Sequence, residues 1–425
     1  MARAASSLRQ SMSGVRRHRP DYQIILYMGL LMMLGLIVMY AIGPQRAYIL
    51  NFGGGANFSD SHFFIRQAMA LGLALVAFFV MAKVPFSFLQ KHAMHILLLG
   101  LGACLVLALA AFLGLPLAPT VNGAVRWFDL GPLGSVQPAE FLKFAVVVFV
   151  AGLLAVRYKE AKVNDRDMTL IPIAALLALL IVFVVVLQKN MSTGVILISI
   201  VMAMIFAAGL SRKVVLFIIA GGLIAGTLLI VAAPHRRDRV ATFFQGDTTL
   251  TSNTDEDLQA RQAQIAVGSG GMFGVGIGNS IQATGYLPES TNDSIFAIMG
   301  ETFGFVGLVV ILALFGALLV RILKIADHSS NMWAKLACVG IFAWLMAHVF
   351  INVASMIGLI PLTGVTLPLV SFGGTSMVFI AGALGLAFQL SRYTVNDTSV
   401  IGGADESSRS RWGLGRTRDA NRGRR

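Results

Sequence analysis

The residue of this chain that is best suited to take part in a reaction is an acid, Asp293. It follows the polar stretch YLPESTN and comes directly before a long apolar run. A carboxylate therefore lies where a long polar loop meets the start of a predicted membrane helix. Acids at membrane depth are costly and are functional candidates by default. A structural alternative stays open, because an Asp before a helical run also caps the amides of the first turn.

A second charged group lies in the stretch QPAEFLKF (137–144). Glu140 and Lys143 are three residues apart at the start of an apolar run. This spacing puts both side chains on one helix face, where they can pair. Two interpretations stay open: the pair only holds helices together, or it lines a polar cavity that opens to the outside.

Arginines beside the apolar runs are candidates for binding phosphate. Arg66 begins one run, and Arg126 lies between two others, next to Trp127. Guanidinium groups suit bidentate contacts with anions, but each Arg can instead anchor its segment at the membrane surface by snorkelling. A basic cluster from His235 to Arg239 lies near the start of the longest polar segment.

Two segments that contain glycine complete the set of motifs. GSGGMFGVGIGNS (268–280) invites a phosphate-binding interpretation, because glycines let backbone amides surround an anion. It lacks the GK[ST] of a P-loop and the context of a dinucleotide fingerprint, so a tightly turned loop packed on the membrane surface is the alternative. LTGVTLPLVSFGGTS (362–376) is too rich in Pro and Gly for an uninterrupted helix. It is a structural turn or a wall of the active cavity, since irregular backbone at membrane depth is buried or lines a cavity.

The composition indicates that a membrane positions these groups. Hydrophobic residues make up 56% of the 425 residues and charged residues only 12%. This predicts an all-α fold, a polytopic integral membrane protein, because the apolar runs are long enough to cross a hydrocarbon core of roughly 30 Å. We predict ten transmembrane helices, at 23–43, 64–83, 93–113, 139–156, 169–187, 192–210, 214–233, 294–320, 333–352 and 374–391.

The basic residues predict the orientation of these spans. Most Lys and Arg residues fall in the termini and in one set of loops, so the positive-inside rule places both termini in the cytoplasm. The net charge of +13 then reflects mostly topology and not nucleic-acid binding, and the basic C-terminal tail is either solvated or contacts anionic lipid or a cytoplasmic partner. The first span lacks an A-x-A site and predicts a signal anchor rather than a cleaved signal peptide. Cys104 and Cys338 lie within apolar runs and predict neither a disulfide nor a metal site.

The chain divides into three parts. Residues 1–22 and 393–425 are polar, contain many Arg and Ser residues, and predict disordered cytoplasmic tails. Residues 23–392 form one membrane domain, whose long extracytoplasmic loop, 234–293, precedes the eighth helix. A loop of that length without clear secondary structure is usually functional or disordered.

Three separated blocks, in order, resemble the signature of the SEDS proteins (shape, elongation, division and sporulation). The blocks are NGAVRWFDLGPLGSVQPAEFLK, GSGGMFGVGIGNSIQATGYLPESTNDSIFAIMGETFGFVG and LTGVTLPLVSFGGTS. The resemblance covers roughly residues 23–391, and the family's ten-span topology agrees with the one predicted from charge. The Asn-Ser after the glycines and the Asp-Ser after Asn292 resemble the division-type members more than the elongation-type members.

The resemblance implies a peptidoglycan glycosyltransferase in the plasma (inner) membrane, at the division septum. Such enzymes polymerise lipid II into β-1,4-linked glycan strands and release undecaprenyl pyrophosphate. They work with a class B penicillin-binding protein, a transpeptidase that cross-links the strands, and with other membrane proteins of the division complex. A divalent metal cation, Mg or Mn, is a candidate cofactor, and nucleic acid is not an expected partner.

The resemblance also implies roles for particular residues. The family's essential acid maps onto Asp293. We expect it to act as the general base, a role typically worth about 10²–10⁴-fold in rate. The expected ligands of the substrate and its pyrophosphate are Arg66, Arg126, Glu140, Lys143, Arg239, Gln262 and Ser371.

The chain departs from the family pattern at three positions. Asn190 stands where the family often has an Asp, so a role of that acid does not carry over. Ala283 replaces a common Lys, so one cation that contacts phosphate is either missing or supplied by Arg236, Arg237 or Arg239. Thr302 replaces the second Glu of a G-E-E-L-G pattern.

Two functions from other classes remain as alternatives. A lipid II flippase needs a polar path through the bilayer, whereas the ionisable residues here cluster at the outer side and no matched broken helices occur in two halves. A non-catalytic scaffold that recruits a transpeptidase would tolerate the loss of Asp293. Replacement of Asp293 therefore discriminates between the enzyme and both alternatives.

Overall fold

The structure is a computed structural model of the chain. Most of both predicted tails and the part of the long loop that contains Arg239 lie outside the residues that it describes. The described residues are 19–55, 57–120, 124–131, 134–231, 237 and 255–394.

Helices form at each of the ten predicted spans. Within a bilayer, a helix pairs every backbone N–H and C=O group inside its own segment, which is why apolar runs of this length become helices. The helices are α1 (Gln23–Gly54), α2 (His62–Lys83), α3 (Phe86–Phe112), α4 (Pro138–Lys159), α5 (Arg166–Leu187), α6 (Met191–Ala207), α7 (Arg212–Val231), α8 (Asp255–Ser269), α9 (Ile295–Asp327), α10 (Met332–Met356) and α11 (Gly374–Leu390).

The helices make a multi-pass membrane protein. Eight of them are long and apolar enough to cross a membrane by length and composition, and α6 is a shorter apolar helix. Among the described residues, the strands are limited to a two-stranded antiparallel ribbon in the third predicted loop, β1 (Phe128–Asp129) with β2 (Ser135–Val136). The prediction of an all-α, polytopic fold is confirmed.

Three helices form the interior of the bundle. In the 18-residue apolar stretch of each helix, 72% of the residues are buried in α4, 67% in α10 and 78% in α11, against 22% in α2. Helix α11 packs on α2, and α10 packs on α4, α6 and α9. Polar side chains on the inner faces of α4 and α10 are therefore removed from water, and burial is costly unless they bond to one another.

The two ends of the membrane domain meet on one side of the bundle. The backbone N–H group of Asp21 donates to Ser391 Oγ (2.9 Å), and the Asp21 carboxylate pairs with Arg321 (Oδ2 to Nη2, 2.9 Å). After α11, Thr394 forms a bridge with Ser329, which follows α9. Both described ends therefore lie on the same side, as an even number of spans requires.

The first loop is shorter than the sequence predicts. Helix α1 does not end at residue 43 but continues through Pro44 to Gly54. Its last turns pack on the long loop, where Gln45 Nε2 donates to Gly278 O (3.5 Å). This tertiary contact explains why the helix continues past Pro44, a residue type that ordinarily breaks or kinks a helix.

The expectation of a long loop without regular structure is wrong for its described part, because that part contains α8. Three residues of α8, Gln259, Ala263 and Ala266, are buried. Their i, i+4, i+7 spacing is that of a helix face packed on other elements, here α9 and α10. Helix α8 carries Gln259 towards the start of α9.

Helix α9 is broken at Gly304, where φ is 68° and ψ is −171°. This backbone conformation is essentially restricted to glycine. The glycine-rich run fills the break: the N–H group of Val275 donates to Glu301 O (2.9 Å), and the N–H group of Phe305 donates to Gly271 O (2.8 Å). Backbone groups freed by the break are thus paired, as they have to be at membrane depth.

The glycines of this run are explained by close packing. A Cβ atom at Gly270 would overlap the carbonyl of Gly300, and one at Gly274 would overlap the carbonyl of Thr302. The backbone of the glycine-rich run therefore approaches the backbone of α9 more closely than side chains at these positions would allow. The structure therefore supports the packed-loop interpretation of residues 268–280 over a phosphate cradle.

Candidate active site

Asp293 lies directly before α9, at the end of the bundle away from the chain ends. The helix begins at Ile295, with Ser294 as its N-cap residue and without a capping hydrogen bond from that side chain. The helix therefore starts one residue later than the capping interpretation of Asp293 requires. The positive end of the helix dipole still faces the carboxylate.

Three segments surround the Asp293 residue. Gln259 of α8 lies with Nε2 3.5 Å from Asp293 Oδ1 and donates to Ser294 Oγ (2.9 Å). Asn352 of α10 donates from Nδ2 to the main-chain oxygen of Asp293 (2.7 Å). A Cβ atom at Gly364 would lie 3.7 Å from Oδ2. The carboxylate is therefore enclosed by the long loop, α10 and the segment before α11, and stays partly exposed.

This enclosure changes the acidity of Asp293. Burial, together with the negative charge of Glu289, raises the pKa of Asp293 to about 7, although hydrogen bonds from the backbone N–H groups of Asp293 and Ser294 and from Gln259 oppose the rise. A base whose pKa lies near the working pH is ionised for part of the time and still basic enough to accept a proton. Shifts of this kind are typical of catalytic groups.

Glu289 is held beside Asp293 by two partners. Arg46, on the extension of α1, lies with Nη2 3.6 Å from Glu289 Oε1, and Asn292 Nδ2 donates to Glu289 Oε2. Glu289 also has a positive φ of 51°, an uncommon conformation for a residue with a side chain. The Arg46 cation therefore compensates part of the negative charge of Glu289.

The segment before α11 forms one wall of the site. The N–H group of Leu367 donates to Ser371 Oγ (2.8 Å), which closes the turn. Gln67 Nε2 reaches Val370 O (3.3 Å) and Ser371 O (3.4 Å), and the N–H group of Phe372 donates to Thr291 O (2.9 Å). Ser371 is thus buried in a turn that borders the site.

Glu140 and Lys143 form the predicted pair inside the bundle. Lys143 Nζ donates to Glu140 Oε1 (2.8 Å), and the two side chains are 0% and 5% exposed for Lys143 and Glu140 respectively. Lys143 Nζ also lies 2.7 Å from Nε2 of His348 on α10. The pair therefore joins α4 to α10, which favours the helix-holding interpretation over a direct contact with pyrophosphate.

The other predicted ligands that the structure describes are spread over the same end of the molecule. Arg66 is exposed, next to the buried Gln67. Arg126 donates from Nη2 to Lys189 O (3.0 Å), so it ties the third loop to the turn before α6. Gln262 lies on α8, partly buried, one turn from Gln259. Arg239 lies outside the described residues.

Sequence reasoning missed four residues that the structure places at or near Asp293. Gln259 belongs to the buried face of α8, and its signal was the small-residue spacing of that helix. His348 and Asn352 are polar residues four apart in an apolar span, a pattern that marks functional or paired groups. Arg46 had no local signal, because its partner Glu289 is distant in the sequence.

The departure at Asn190 has a structural explanation. Asn190 is the N-cap residue of α6, and its Oδ1 accepts a hydrogen bond from the N–H group of Thr193 (3.1 Å). Asn and Asp are about equally good at this position. The helix start is therefore kept although the charge is lost.

Comparison with known proteins places the chain in a family. The family model described as "Cell cycle protein", for FtsW, RodA and SpoVE, matches residues 22–396. Stage V sporulation protein E of Bacillus subtilis is 32% identical over 384 residues, which cover 89% of this chain and 99% of that protein. The probable peptidoglycan glycosyltransferase FtsW of Saccharophagus degradans is 31% identical over 393 residues, with 91% and 95% covered.

Solved structures have the same fold. A chain in the structure of a peptidoglycan synthase complex that coordinates polymerization and crosslinking superimposes with a TM-score of 0.65 at 25% identity, over 88% of this chain and 98% of that chain. The crystal structure of RodA, the rod shape determining protein of Thermus thermophilus, gives a TM-score of 0.60 at 25% identity, over 89% and 98%. The chain belongs to the FtsW, RodA and SpoVE family, the SEDS proteins, and is similar to its FtsW members.

Proposed function

We propose that the protein is a peptidoglycan glycosyltransferase that polymerises lipid II into β-1,4-linked glycan strands, with Asp293 as its general base. The observation that carries this proposal is one carboxylate, partly enclosed, with a pKa of about 7, at the end of a membrane helix bundle. Family membership supports the reaction, since relatives over most of this chain are named probable peptidoglycan glycosyltransferases.

The proposed reaction needs one base. The 4-hydroxyl of a GlcNAc residue in one lipid II attacks C1 of the muramic acid in another, and the bond from C1 to the pyrophosphate breaks. The α-linked donor becomes a β-1,4 link, so a single inversion is sufficient. Asp293 takes the proton of the attacking hydroxyl, a contribution of typically about 10²–10⁴-fold.

The leaving undecaprenyl pyrophosphate carries the negative charge that develops. Cations stabilise such a charge, and we assign this role to Arg66, Arg126 and Arg239, as the sequence predicts. Glu140 and Lys143 contribute from inside the bundle by holding α4 and α10 together, and Ser371 by closing the turn beside the site. Gln262 lies on the same helix as Gln259 and is the candidate for a polar contact with a sugar.

A divalent cation would be held mainly by the substrate. Mg²⁺ is usually bound by one or two carboxylates together with substrate phosphates, but Asp293 is assigned here as the base and Glu289 pairs with Arg46 and Asn292, so the pyrophosphate oxygens would supply most of the ligands. The described residues hold no group of three or more His, Cys, Asp or Glu side chains that would bind a metal alone. Mg²⁺ or Mn²⁺ bound there would neutralise charge on the pyrophosphate.

The proposal includes a partner and a place of action. A chain of similar fold occurs in a peptidoglycan synthase complex that couples polymerization to crosslinking. By that likeness, this protein works with a class B transpeptidase and other division proteins in the plasma membrane at the septum. The lipid tails of both substrates lie along the apolar helix surfaces.

The experiment uses the full-length protein, purified alone and with its transpeptidase partner, and given lipid II with Mg²⁺ or Mn²⁺. Glycan length is read on a gel for the native protein and for Asp293→Asn, which keeps the size of the side chain and removes its basicity. We expect polymer from the native protein and at least about 10²-fold less from the variant. Thermal unfolding of both proteins checks that the variant is folded.

Each other outcome rejects a part of the proposal. Polymer from both proteins would keep the glycosyltransferase and remove Asp293 as its base. Polymer from neither, with the partner and cation present, would favour a lipid II flippase or a scaffold that recruits the transpeptidase.

A further inference from the structure

Three polar side chains on α10 form a stripe on one buried face. His348, Asn352 and Ser355 are spaced i, i+4, i+7, and each is at most 2% exposed. Residues at this spacing are neighbours along a helix surface. We call these three residues the polar stripe. Polar groups buried in this way are costly unless they are paired.

Each residue of the polar stripe contacts the extended segment 363–366, which returns towards α11. The contacts therefore fix the register of that segment along the helix. The pairs are Ser355 Oγ with Thr363 Oγ1 (3.4 Å), Asn352 Nδ2 with Val365 O (2.7 Å), and His348 Nδ1 with Thr366 O (3.4 Å).

The segment 363–366 is also the wall against which Asp293 lies. Asn352 Nδ2 donates to Asp293 O as well as to Val365 O, each at 2.7 Å. A Cβ atom at Gly364 would lie 3.7 Å from Asp293 Oδ2. A displacement of this segment along α10 therefore displaces the surroundings of the Asp293 carboxylate.

His348 connects the polar stripe to the ion pair of α4. Lys143 Nζ donates to Glu140 (2.8 Å) and lies 2.7 Å from His348 Nε2. An ammonium group has donors and no acceptor, so Nε2 has to accept, and the ring proton then sits on Nδ1, where it donates to Thr366 O. A charged imidazolium would bring two cations into contact, so the ring is neutral.

We propose that His348 is a positioning residue for glycosyl transfer, whose neutral ring holds the segment 363–366, and with it the surroundings of Asp293, at a fixed distance from the buried Glu140–Lys143 pair. His348 acts through the segment and does not touch the substrate. The inference rests on the proposed function, since it concerns the alignment of the proposed base.

The test compares His348→Gln with His348→Leu in the full-length protein, purified with its transpeptidase partner. Gln offers both an acceptor and a donor, whereas Leu is of comparable size and offers neither. Gln389→Leu is the matched control, because it removes a buried side-chain hydrogen bond, to Val84 O, at the opposite end of the bundle. Three quantities are measured: kcat, KM for lipid II, and amide hydrogen exchange of residues 361–370.

We expect His348→Leu to lower kcat by roughly ten- to a hundredfold, the cost of a small misplacement of a reacting group, with little change in KM. Exchange in residues 361–370 should become faster. His348→Gln should restore most of both quantities, and Gln389→Leu should leave both unchanged. If His348→Leu does not fold, His348→Asn replaces it, since an Asn side chain is too short to reach Lys143 and Thr366 together.

A normal kcat with normal exchange in His348→Leu would overturn the inference, as would a Gln variant no better than the Leu variant. A rise in KM alone would also overturn it, because this would assign the region to substrate binding. Asp293→Asn, measured in parallel, separates the two proposals: normal polymerisation by that variant rejects the base, whatever the His348 variants do.

Discussion

Asp293 and Glu301 are two acids at the start of α9, and their surroundings are opposite. Glu301 is 2% exposed. Its carboxylate accepts hydrogen bonds from Ser280 Oγ and from the N–H groups of Ile281 (3.0 Å) and Gln282 (3.2 Å). Donors of this number satisfy a charged carboxylate and stabilise the loop that supplies them.

Asp293 also receives hydrogen bonds, from the N–H groups of Asp293 and Ser294 and from Gln259, but burial and a neighbouring negative charge outweigh them. Its side-chain partner Gln259 lies at 3.5 Å, the limit of a hydrogen bond, and the Glu289 charge opposes its ionisation. A carboxylate that is fully buried among donors organises the structure, whereas a partly exposed one beside a second negative charge is available to take a proton.

The largest effect on this comparison is expected from Gly304→Ala. The backbone at Gly304 is strained for any other residue, and a Cβ atom there would overlap the main-chain nitrogen of Gly274. We expect the backbone strain alone to lower the free energy of unfolding by about 1–3 kcal/mol and the overlap to add to this loss, with loss of the loop that surrounds Glu301. Thermal unfolding of the purified protein in detergent measures it.

A glycine elsewhere in α9 provides the matched control. A Cβ atom at Gly316 would have no atom within 4 Å, so Gly316→Ala should be neutral or stabilising by up to about 1 kcal/mol. Equal stability of the Gly304→Ala and Gly316→Ala proteins would contradict the role given to the break in α9.

A smaller loss of stability is expected from Glu301→Gln. The amide turns one acceptor oxygen into a donor that faces the hydroxyl and N–H donors of residues 280–282. Because hydrogen bonds to charged groups are worth roughly 1.5–3 kcal/mol, the unfolding free energy should fall by about 2 kcal/mol. Polymer yield should fall only in proportion to the unfolded fraction.

The control for Glu301→Gln is an exposed acid. Glu160 pairs with Arg157 at 2.8 Å, but its side chain is 43% exposed, so Glu160→Gln should cost at most about 1 kcal/mol. If the folded Glu301→Gln protein lost turnover as Asp293→Asn does, the assignment of Glu301 to structure and Asp293 to chemistry would be wrong.

The smallest effect is a shift in the pH profile of the Glu289→Gln protein. A general base has to be ionised, so the rate should fall as the pH drops through about 7, the pKa of Asp293. Removing the Glu289 charge makes Asp293 easier to ionise, and this acid limb should move to lower pH. The rate at pH 6 should rise by at most about tenfold, the equivalent of one pKa unit, because burial is the larger cause and remains.

Arg46→Gln should shift the same profile in the opposite direction. It removes the cation that faces Glu289 at 3.6 Å, which leaves the Glu289 charge less compensated and Asp293 harder to ionise. The midpoints of rate against pH for the native protein and both variants test this. Identical midpoints in all three would show that Glu289 has no influence on the base.

Much of the fold was predictable because it is local. Apolar runs long enough to cross a bilayer form helices whatever surrounds them, and all ten predicted spans are helical. The Glu140–Lys143 pair was predictable for the same reason, since its members are three residues apart on one helix. The extension of α1 and the helix α8 were not, because both depend on packing against distant segments.

The features of the candidate site also divide into those set by local sequence and those set by packing between distant segments. The sequence by itself determined the membrane class, the helical pair and the choice of Asp293, since each depends on residue type and short spacing. The tertiary structure alone decided that Lys143 meets His348, 205 residues away, that Gln259 and Asn352 converge on Asp293, and that Glu301 is held by the glycine-rich loop. Contacts of that sequence separation are set by helix packing, which no local pattern records.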